Sequence, residues 1–174
     1  ISAEAILNKE NLPDGKAIIF DDDHYYIGST IGLELIRRGY DVSIVTTAGR
    51  LGEWSTYTEE IYQSNSELIK NGVEIITNSN ISKINSNSVE IDCIFSGKKT
   101  LIENKWITLI TRREPKDKLF YKIKAIKSKI KQFKSISKIG DCDAPGIIAH
   151  AVYSGYKMGV ELGEKKITPL SYEP

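Results

Sequence analysis

Hydrophobic residues in the first half of the chain fall into strand-length and helix-length runs that end at glycines. The runs at residues 16–20, 41–46 and 73–77 are rich in Ile and Val, and the first is continuously apolar, as in a parallel strand covered on both faces. Apolar residues at helical spacing predict helices at 27–38 and 55–71, each followed by a glycine that suits a helix C-terminus. This order predicts an α/β fold with a Rossmann-like, doubly wound βαβαβ unit.

The pattern changes near residue 88. Apolar and polar residues roughly alternate at 88–95, a turn follows at 96–99, and the apolar run resumes at 100–102, which predicts an inserted β-hairpin. A buried strand is predicted at 106–111.

The last third of the chain predicts a helix, a short strand and a second helix. Apolar residues step by four and three positions between Leu119 and Phe133, which is typical of an amphipathic helix. Residues 136–139 predict a strand that ends at Gly140, and 147–162 predict the final helix. Because these elements follow a break, we expect the strand and final helix to belong to a second sheet.

Composition excludes several classes of protein. The 174 residues carry 24 Lys+Arg against 23 Asp+Glu, a net charge of +1, so we expect no nucleic-acid partner bound mainly through its phosphates. No apolar run approaches the roughly 20 residues of a membrane span. Two cysteines, Cys93 and Cys142, and two histidines are too few for a disulfide scaffold or a self-contained metal site. We expect a cytoplasmic chain with no membrane partner, cut from a longer protein.

The first joint of the predicted unit lacks the features that bind a dinucleotide. A G-x-G-x-x-G loop and an acid after the second strand are required there. This chain has Asp21–Asp23 in the joint and Thr46-Thr47 after the second strand. Two like charges about 4 Å apart repel by roughly 4 kcal/mol at an effective dielectric near 20. We therefore expect that no NAD(P) binds.

The residues around this joint allow other interpretations. The three aspartates would ligate Mg²⁺ or Ca²⁺, or one would cap the helix, and the lack of further ligands nearby favours the cap. His24 would serve as a proton shuttle or be an ordinary surface histidine. Arg50 would pair with a 2′-phosphate if a nucleotide bound. Gly28 and Gly32 predict close approach of the helix to the sheet.

Aromatic and basic residues predict two surfaces. We expect four aromatic residues to pack at a domain or subunit surface: Tyr25, Tyr26, Trp54 and Tyr57. Nine lysines and one acid lie between Lys116 and Lys138. No arginine or regular aromatic pattern accompanies them, which favours a solvated helix face over an anionic partner.

The second informative joint is the run IGDCDAPG at residues 139–146. A strand that ends in Gly140-Asp141 ahead of a helix places a carboxylate where it would accept hydrogen bonds from sugar or ribityl hydroxyls. The alternative is that Asp141 only caps the helix.

Two segments together resemble the C-terminal region of the trimethylamine dehydrogenase family. They are FDDDHYYIG at 20–28 with GYDVSIV at 39–45, and IGDCDAP at 139–145 with HAVYSG at 150–155. That family includes dimethylamine and histamine dehydrogenases and is related to 2,4-dienoyl-CoA reductase and old yellow enzyme. The resemblance runs from about residue 12 to residue 162.

The resemblance implies a parent iron–sulfur flavoprotein that oxidises an amine by oxidative N-demethylation. Family members carry a TIM barrel with FMN and a 4Fe-4S cluster, then two domains similar to the FAD and NAD(P)H domains of glutathione reductase, with ADP or FAD in the former. By match to the motif, Gly140 and Asp141 are the expected contacts to ADP or FAD. No catalytic residue, metal ligand or cofactor is expected on this chain alone. The implied partners are the TIM barrel, the first half of the FAD-like domain, an electron-acceptor protein and a second copy of the parent.

The resemblance divides the chain into five segments. They are a linker (1–14), an NAD(P)H-domain-like Rossmann unit without G-x-G-x-x-G (15–113), a basic helical connector (114–134), the return strand and helix of an FAD/ADP-binding-like domain (135–164) and a tail (165–174). Two alternatives remain: a 2,4-dienoyl-CoA-reductase-like NADPH-dependent flavoenzyme, and a free-standing scaffold with a decayed nucleotide site.

Overall fold

The computed structural model describes residues 1–126 and 135–162, in two compact units. Unit 1 comprises Ile1–Arg112 and unit 2 begins at Arg113. The C-terminal part of the helix predicted at 119–133 and the predicted tail at 165–174 lie outside the described residues.

Unit 1 contains two sheets. Their strands are β1 (Ala17–Asp21), β2 (Val42–Thr46), β3 (Glu74–Ile76), β4 (Ser79–Ile84), β5 (Ser88–Cys93), β6 (Lys99–Glu103) and β7 (Trp106–Ile110). The first sheet has the order β3-β2-β1-β7 and every neighbouring pair is parallel. The second sheet, β4-β5-β6, is antiparallel throughout.

The helices divide between the two units. Unit 1 has α1 (Ala3–Leu7), α2 (Ile27–Arg37) and α3 (Glu60–Lys70), with a 3-10 helix at Glu53–Thr58. Unit 2 has α4 (Lys118–Ile126), a 3-10 turn at Gly140–Cys142 and α5 (Ile148–Glu161). Within the described parts of the chain, no helix is long and apolar enough to cross a membrane.

The parallel sheet is covered by different structures on its two faces. Because side chains alternate along a strand, Ile19 of β1 packs with residues of α1, α2 and α3, while Ile18 and Phe20 pack with β5 and β6. The prediction of an α/β fold with a parallel sheet is confirmed. Helices on both faces, as in a doubly wound unit, are not found, because the antiparallel sheet takes one face within the described residues.

Glycines in α2 bring that helix close to the sheet, as predicted. A Cβ atom built on Gly32 would lie 2.9 Å from the Ile44 and Leu68 side chains. A Cβ atom built on Gly28 would lie 2.8 Å from Cγ of Asp21. The helix axis therefore lies nearer to β1 and β2 than any side chain at these positions would allow.

The N-terminal segment predicted as a linker contains structure. Ile6 of α1 is fully buried in the main core, and Arg38 donates hydrogen bonds to the carbonyl oxygens of Ile6 (3.2 Å) and Glu10 (2.8 Å). Ser2 caps α1, since its hydroxyl accepts a hydrogen bond from the Ala5 amide. The prediction that structure begins after Gly15 is wrong, because one fully buried isoleucine is enough to anchor a five-residue helix.

Two further sequence predictions differ from the structure within unit 1. The helix predicted at 55–71 is interrupted at Glu59, which has φ of 62° and separates the 3-10 helix from α3. The predicted hairpin is part of a three-stranded sheet, because β4 precedes it. β4 is mostly exposed and polar, so it has no continuous apolar pattern to mark it.

The return strand predicted at 136–139 finds no partner strand among the described residues, so it stays a prediction. Ile139 has an extended backbone, but residues 135–139 form no ladder with any described strand. An extended segment becomes a β-strand only when a neighbouring strand pairs with it. The final helix, predicted at 147–162, is confirmed as α5.

Candidate functional site

The carboxyl ends of the parallel strands in unit 1 form the edge at which α/β proteins of this kind bind ligands. Asp21 ends β1 and lies in register between Thr46 of β2 and Ile110 of β7. The Asp22 amide donates a hydrogen bond to the carbonyl oxygen of Ile110 at 2.8 Å, so the chain leaving β1 is fastened to β7. We call residues 22–26 the β1–α2 joint.

Asp21 lies beneath this joint rather than in solvent. Its side chain is fully buried, and neither carboxyl oxygen has a hydrogen-bond partner among the described residues. The pKa of Asp21 is raised from 3.8 to about 7, chiefly by burial and then by the charge of Asp23. The amides of Asp23 and His24 offset part of this rise, although neither forms a hydrogen bond of good geometry with the carboxyl group.

The exposed part of the joint is a small polar network. Thr47 donates a hydrogen bond from Oγ1 to Oδ1 of Asp22 at 2.7 Å. His24 Nε2 lies 3.4 Å from Oγ1 of Thr47 and 3.5 Å from Oδ1 of Asp22. His24 also has φ of 59°, a conformation that is uncommon outside glycine. These contacts give His24 a structural role in holding the joint to the end of β2.

The joint is closed from the other side by the segment that follows β2. The Trp54 amide donates a hydrogen bond to the carbonyl oxygen of His24 at 3.0 Å. Gly52, with φ of 66°, approaches so closely that an added Cβ atom would lie 3.0 Å from the Tyr25 carbonyl oxygen. Sequence reasoning missed Gly52, and it expected Trp54 only at a packing surface, without its backbone hydrogen bond to the joint. The available signal was the glycine ahead of Trp54, but a glycine alone does not show what its backbone approaches.

The aromatic residues near this edge are largely exposed. Trp54 and Tyr57 stack with their ring centroids 6.1 Å apart and with 48% and 81% of their surfaces exposed. Tyr26 is also exposed. Packing of these residues at a domain or subunit surface stays a prediction.

The structure also bears on the interpretations of the joint as a helix cap, a metal site and a phosphate contact. The N-cap residue of α2 is Tyr26, so the capping position predicted for one of the aspartates is occupied by another residue. Over residues 1–126 and 135–162, no group of three or more His, Cys, Asp and Glu side chains is arranged to hold a metal ion. Asp21 is buried, and Oδ1 of Asp22 accepts a hydrogen bond from Thr47. Arg50 is exposed beyond the end of β2.

In unit 2, Gly140 and Asp141 form a compact turn ahead of α5. Gly140 has φ of 59°, and its amide donates a hydrogen bond to Oγ of Ser154 on α5 at 2.8 Å. Asp141 is exposed, and its Oδ1 accepts a long, 3.4 Å hydrogen bond from the Gly146 amide. Ile147, the N-cap residue of α5, provides no side-chain cap. The turn therefore carries an exposed carboxylate shortly before a helix N-terminus that has no side-chain cap.

One of the nine lysines fastens this turn to α4. Lys138 Nζ lies 3.0 Å from Oδ2 of Asp117 and 3.4 Å from Oδ1 of Asp143. The same ammonium lies 5.7 Å and 5.5 Å from the ring centroids of Phe120 and Tyr121. The hydrogen bond with Asp117 raises the pKa of Lys138. At least this lysine belongs to an intramolecular contact, not to a free basic surface.

Comparison with known proteins finds similarity to two dehydrogenases and a reductase. It is 25% identical over 183 residues to dimethylamine dehydrogenase from Hyphomicrobium sp. (strain x). It superimposes on histamine dehydrogenase from Rhizobium sp. 4-9 with a TM-score of 0.89 and 29% identity over 97% of the chain. A 2-naphthoyl-CoA reductase shares the fold, with a TM-score of 0.71 and 24% identity over 91% of the chain.

The chain matches only a part of these proteins. It covers 25% of the dimethylamine dehydrogenase, 26% of the histamine dehydrogenase and 23% of the naphthoyl-CoA reductase, so it spans about a quarter of their length. Residues 1–122 match the family model described as the OYE-like second alpha/beta domain. The resemblance to the trimethylamine dehydrogenase family is therefore confirmed, and the chain belongs to the OYE-like second alpha/beta domain family.

Proposed function

We propose that this chain is a structural module of an iron–sulfur flavoprotein that oxidises an amine by oxidative N-demethylation. In this proposal residues 15–113 are the NAD(P)H-domain-like part, 114–134 are the connector, and 135–164 are the closing segment of an FAD- or ADP-binding-like domain. FMN and the 4Fe-4S cluster would be held by other parts of the parent, in which an acceptor protein takes up the electrons and a second copy completes a homodimer. Similarity to dimethylamine and histamine dehydrogenases supports this assignment.

The closed β1–α2 joint is the observation that carries the proposal. A dinucleotide bound to a parallel α/β sheet places its pyrophosphate at the amino end of the first crossover helix and its ribose at the end of the second strand. In unit 1 these two places are the β1–α2 joint and the end of β2. The segment after β2 contacts the joint through the hydrogen bond from the Trp54 amide to His24 and through the close approach of Gly52 to Tyr25. The joint also carries the acidic side chains of Asp22 and Asp23. Both the shape and the charge of this edge therefore oppose a diphosphate.

Isothermal titration calorimetry of the 174-residue chain with NADH and NADPH tests the proposal. We expect no binding with either nucleotide at concentrations up to about 1 mM, since the joint offers neither a glycine loop nor an unobstructed helix end. Micromolar binding of either nucleotide would contradict the structural role. ADP-ribose, which lacks the nicotinamide, serves as the control for contacts made by the diphosphate alone.

The same proposal assigns Gly140 and Asp141 to the ADP or FAD of the parent. The exposed carboxylate of Asp141 and the uncapped amides of α5 suit a ligand that has hydroxyl groups and an anionic edge. In the full-length parent, Asp141→Ala is expected to lower the nucleotide content, measured by release from the denatured protein, by more than half.

Asp143→Ala is the matched control for this experiment, because Asp143 is an exposed aspartate of the same turn whose carboxylate lies 3.4 Å from Nζ of Lys138. It is expected to retain the nucleotide. Equal nucleotide content in the Asp141→Ala and wild-type proteins would exclude the assignment.

A second candidate function is an NADPH-dependent CoA-ester reductase. The fold shared with 2-naphthoyl-CoA reductase and the exposed position of Arg50 beyond β2 favour it. This function requires the joint to rearrange so that Arg50 meets a 2′-phosphate. Hydride transfer from NADPH by the full-length protein, lost on Arg50→Ala, would support it over the amine dehydrogenase.

A further inference from the structure

Asp21 is a titratable group that neither candidate function uses. Its carboxyl group is fully buried without a hydrogen-bond partner among the described residues. A carbon atom added to Gly28 would overlap the carboxyl group, at 2.8 Å from Cγ, so there is no space for a water molecule between Asp21 and the first turn of α2. A carboxylic acid fits this place, whereas a carboxylate there would lack solvent and any hydrogen bond of good geometry.

The groups around Asp21 favour its protonated form. From the joint, the charges of Asp23 and Asp22 both raise its pKa, and only the backbone amides of Asp23 and His24 lower it. The first turn of α2, residues 27–30, contains no charged side chain. The strand ends on either side contribute Thr46 and Ile110, which are also uncharged. No cation among the described residues contributes to the shift.

The joint that covers Asp21 has no helix or strand of its own. The hydrogen bonds that hold it include those from the Trp54 amide to His24, from the Asp22 amide to Ile110 and from the Thr47 hydroxyl to Asp22. The β1 backbone beneath it is fixed by two parallel neighbours, and α2 is fixed by the core. When Asp21 ionises, the joint is therefore the part of its enclosure that can move most easily to admit water.

We propose that the β1–α2 joint is a proton-sensitive closure: with Asp21 protonated it stays closed, and loss of the Asp21 proton opens it and releases the hydrogen bond between Trp54 and His24. The equilibrium constant for opening rises with pH between the pKa of an exposed aspartate and the pKa of Asp21 in the closed joint. Above the second pKa it no longer changes with pH. The effect needs no nucleotide and no parent enzyme, and so goes beyond the proposed function.

Hydrogen exchange of the Trp54 amide, measured by ¹H–¹⁵N NMR on the 174-residue chain, tests this closure. At each pH we divide the exchange rate of this amide in the wild type by its rate in Asp21→Asn. The division cancels the pH dependence of the chemical exchange step, which is the same in both proteins. Between pH 5 and pH 7.5 we expect this ratio to rise on the order of a hundredfold, because asparagine mimics the protonated acid and cannot ionise. The amides of β1 are expected to exchange more slowly than the Trp54 amide at every pH, because they are released only when the whole unit unfolds.

A control variant separates Asp21 from the nearby histidine. His24 lies in the same joint, 3.5 Å from Oδ1 of Asp22, so it needs a control of its own. His24→Asn keeps a residue that tolerates the positive φ and keeps the carbonyl oxygen that Trp54 contacts. We expect the rise to persist in His24→Asn and to vanish in Asp21→Asn. A rise that vanishes only in His24→Asn, or that is absent from the wild type, overturns the proposal.

A second measurement applies if Asp21→Asn does not fold. The ¹³C shift of the Asp21 side-chain carboxyl and the ¹H shift of the Trp54 amide are followed through pH 4 to 9 in the wild type. A shared midpoint near 7 supports the closure. A carboxyl midpoint below 5, or a Trp54 amide that does not follow the carboxyl group, contradicts it.

Discussion

Asp21→Asn is expected to raise the free energy of unfolding by up to about 4 kcal/mol at pH 7.5 and to change it little at pH 4. The pKa of Asp21 is about 7 in the folded chain and 3.8 when exposed, so between these values the folded state binds more protons than the unfolded state. Stability therefore falls as the pH rises through this window. Because asparagine cannot ionise, the free energy of unfolding of the variant does not fall in this way. Urea denaturation of both proteins at the two pH values measures the difference.

Asp22→Asn is the control, because Asp22 is an adjacent aspartate whose side chain is 45% exposed. Its effect is expected to stay within about 0.5 kcal/mol at both pH values, as for most surface substitutions. An Asp21→Asn effect of equal size at pH 4 and pH 7.5 would show that the carboxyl group is not titrated by folding. If the joint opens as inferred above, the measured gain at pH 7.5 falls short of 4 kcal/mol and reports the free energy of that opening.

Ile6→Ala is expected to lower the free energy of unfolding by about 2–4 kcal/mol, as for other isoleucines removed from a core. Ile6 is fully buried and packs in the main core with α2 and β7 residues. The loss should appear as an earlier urea midpoint with an unchanged slope.

Leu7→Ala provides the matched comparison, since Leu7 is the next residue of α1 and is 51% exposed. Both variants replace an aliphatic residue of a five-residue helix, so they differ mainly in burial. We expect Leu7→Ala to have an effect below about 0.5 kcal/mol. Equal effects of the two changes would mean that α1 stabilises the unit through its backbone, not through the Ile6 side chain.

The sequence predicts the parallel strands well because their burial leaves a continuous or β-branched run of residues. β1 and β7 both have this form, and both lie within one or two residues of the predicted bounds. α1 has only one buried residue, so it shows no helical period, and β4 is too polar to be recognised. Elements that contribute one or two core side chains are invisible to pattern analysis.

In the candidate site, too, some features can be predicted from the sequence and others cannot. One short segment shows both that the glycine loop is absent and that aspartates stand at 21–23. These two features predict a sheet edge that is unfavourable to phosphate. The burial of Asp21 depends on α2, and the closure of the joint depends on Trp54, about 30 residues further along the chain. Such contacts arise from the path of the chain, and no single segment encodes them.

The pairing of β1 with β7 has a consequence for the order of assembly. Ala17 pairs with Trp106, which lies 106 − 17 = 89 positions later, while β1 pairs with β2 after only 42 − 17 = 25 positions. During synthesis, one side of the central strand therefore keeps its backbone groups unpaired until β4, β5 and β6 have been made. Strand edges of this kind recruit other chains, and pairings between distant residues form slowly. Truncations that end before Trp106 are consequently expected to aggregate rather than to yield a smaller soluble sheet.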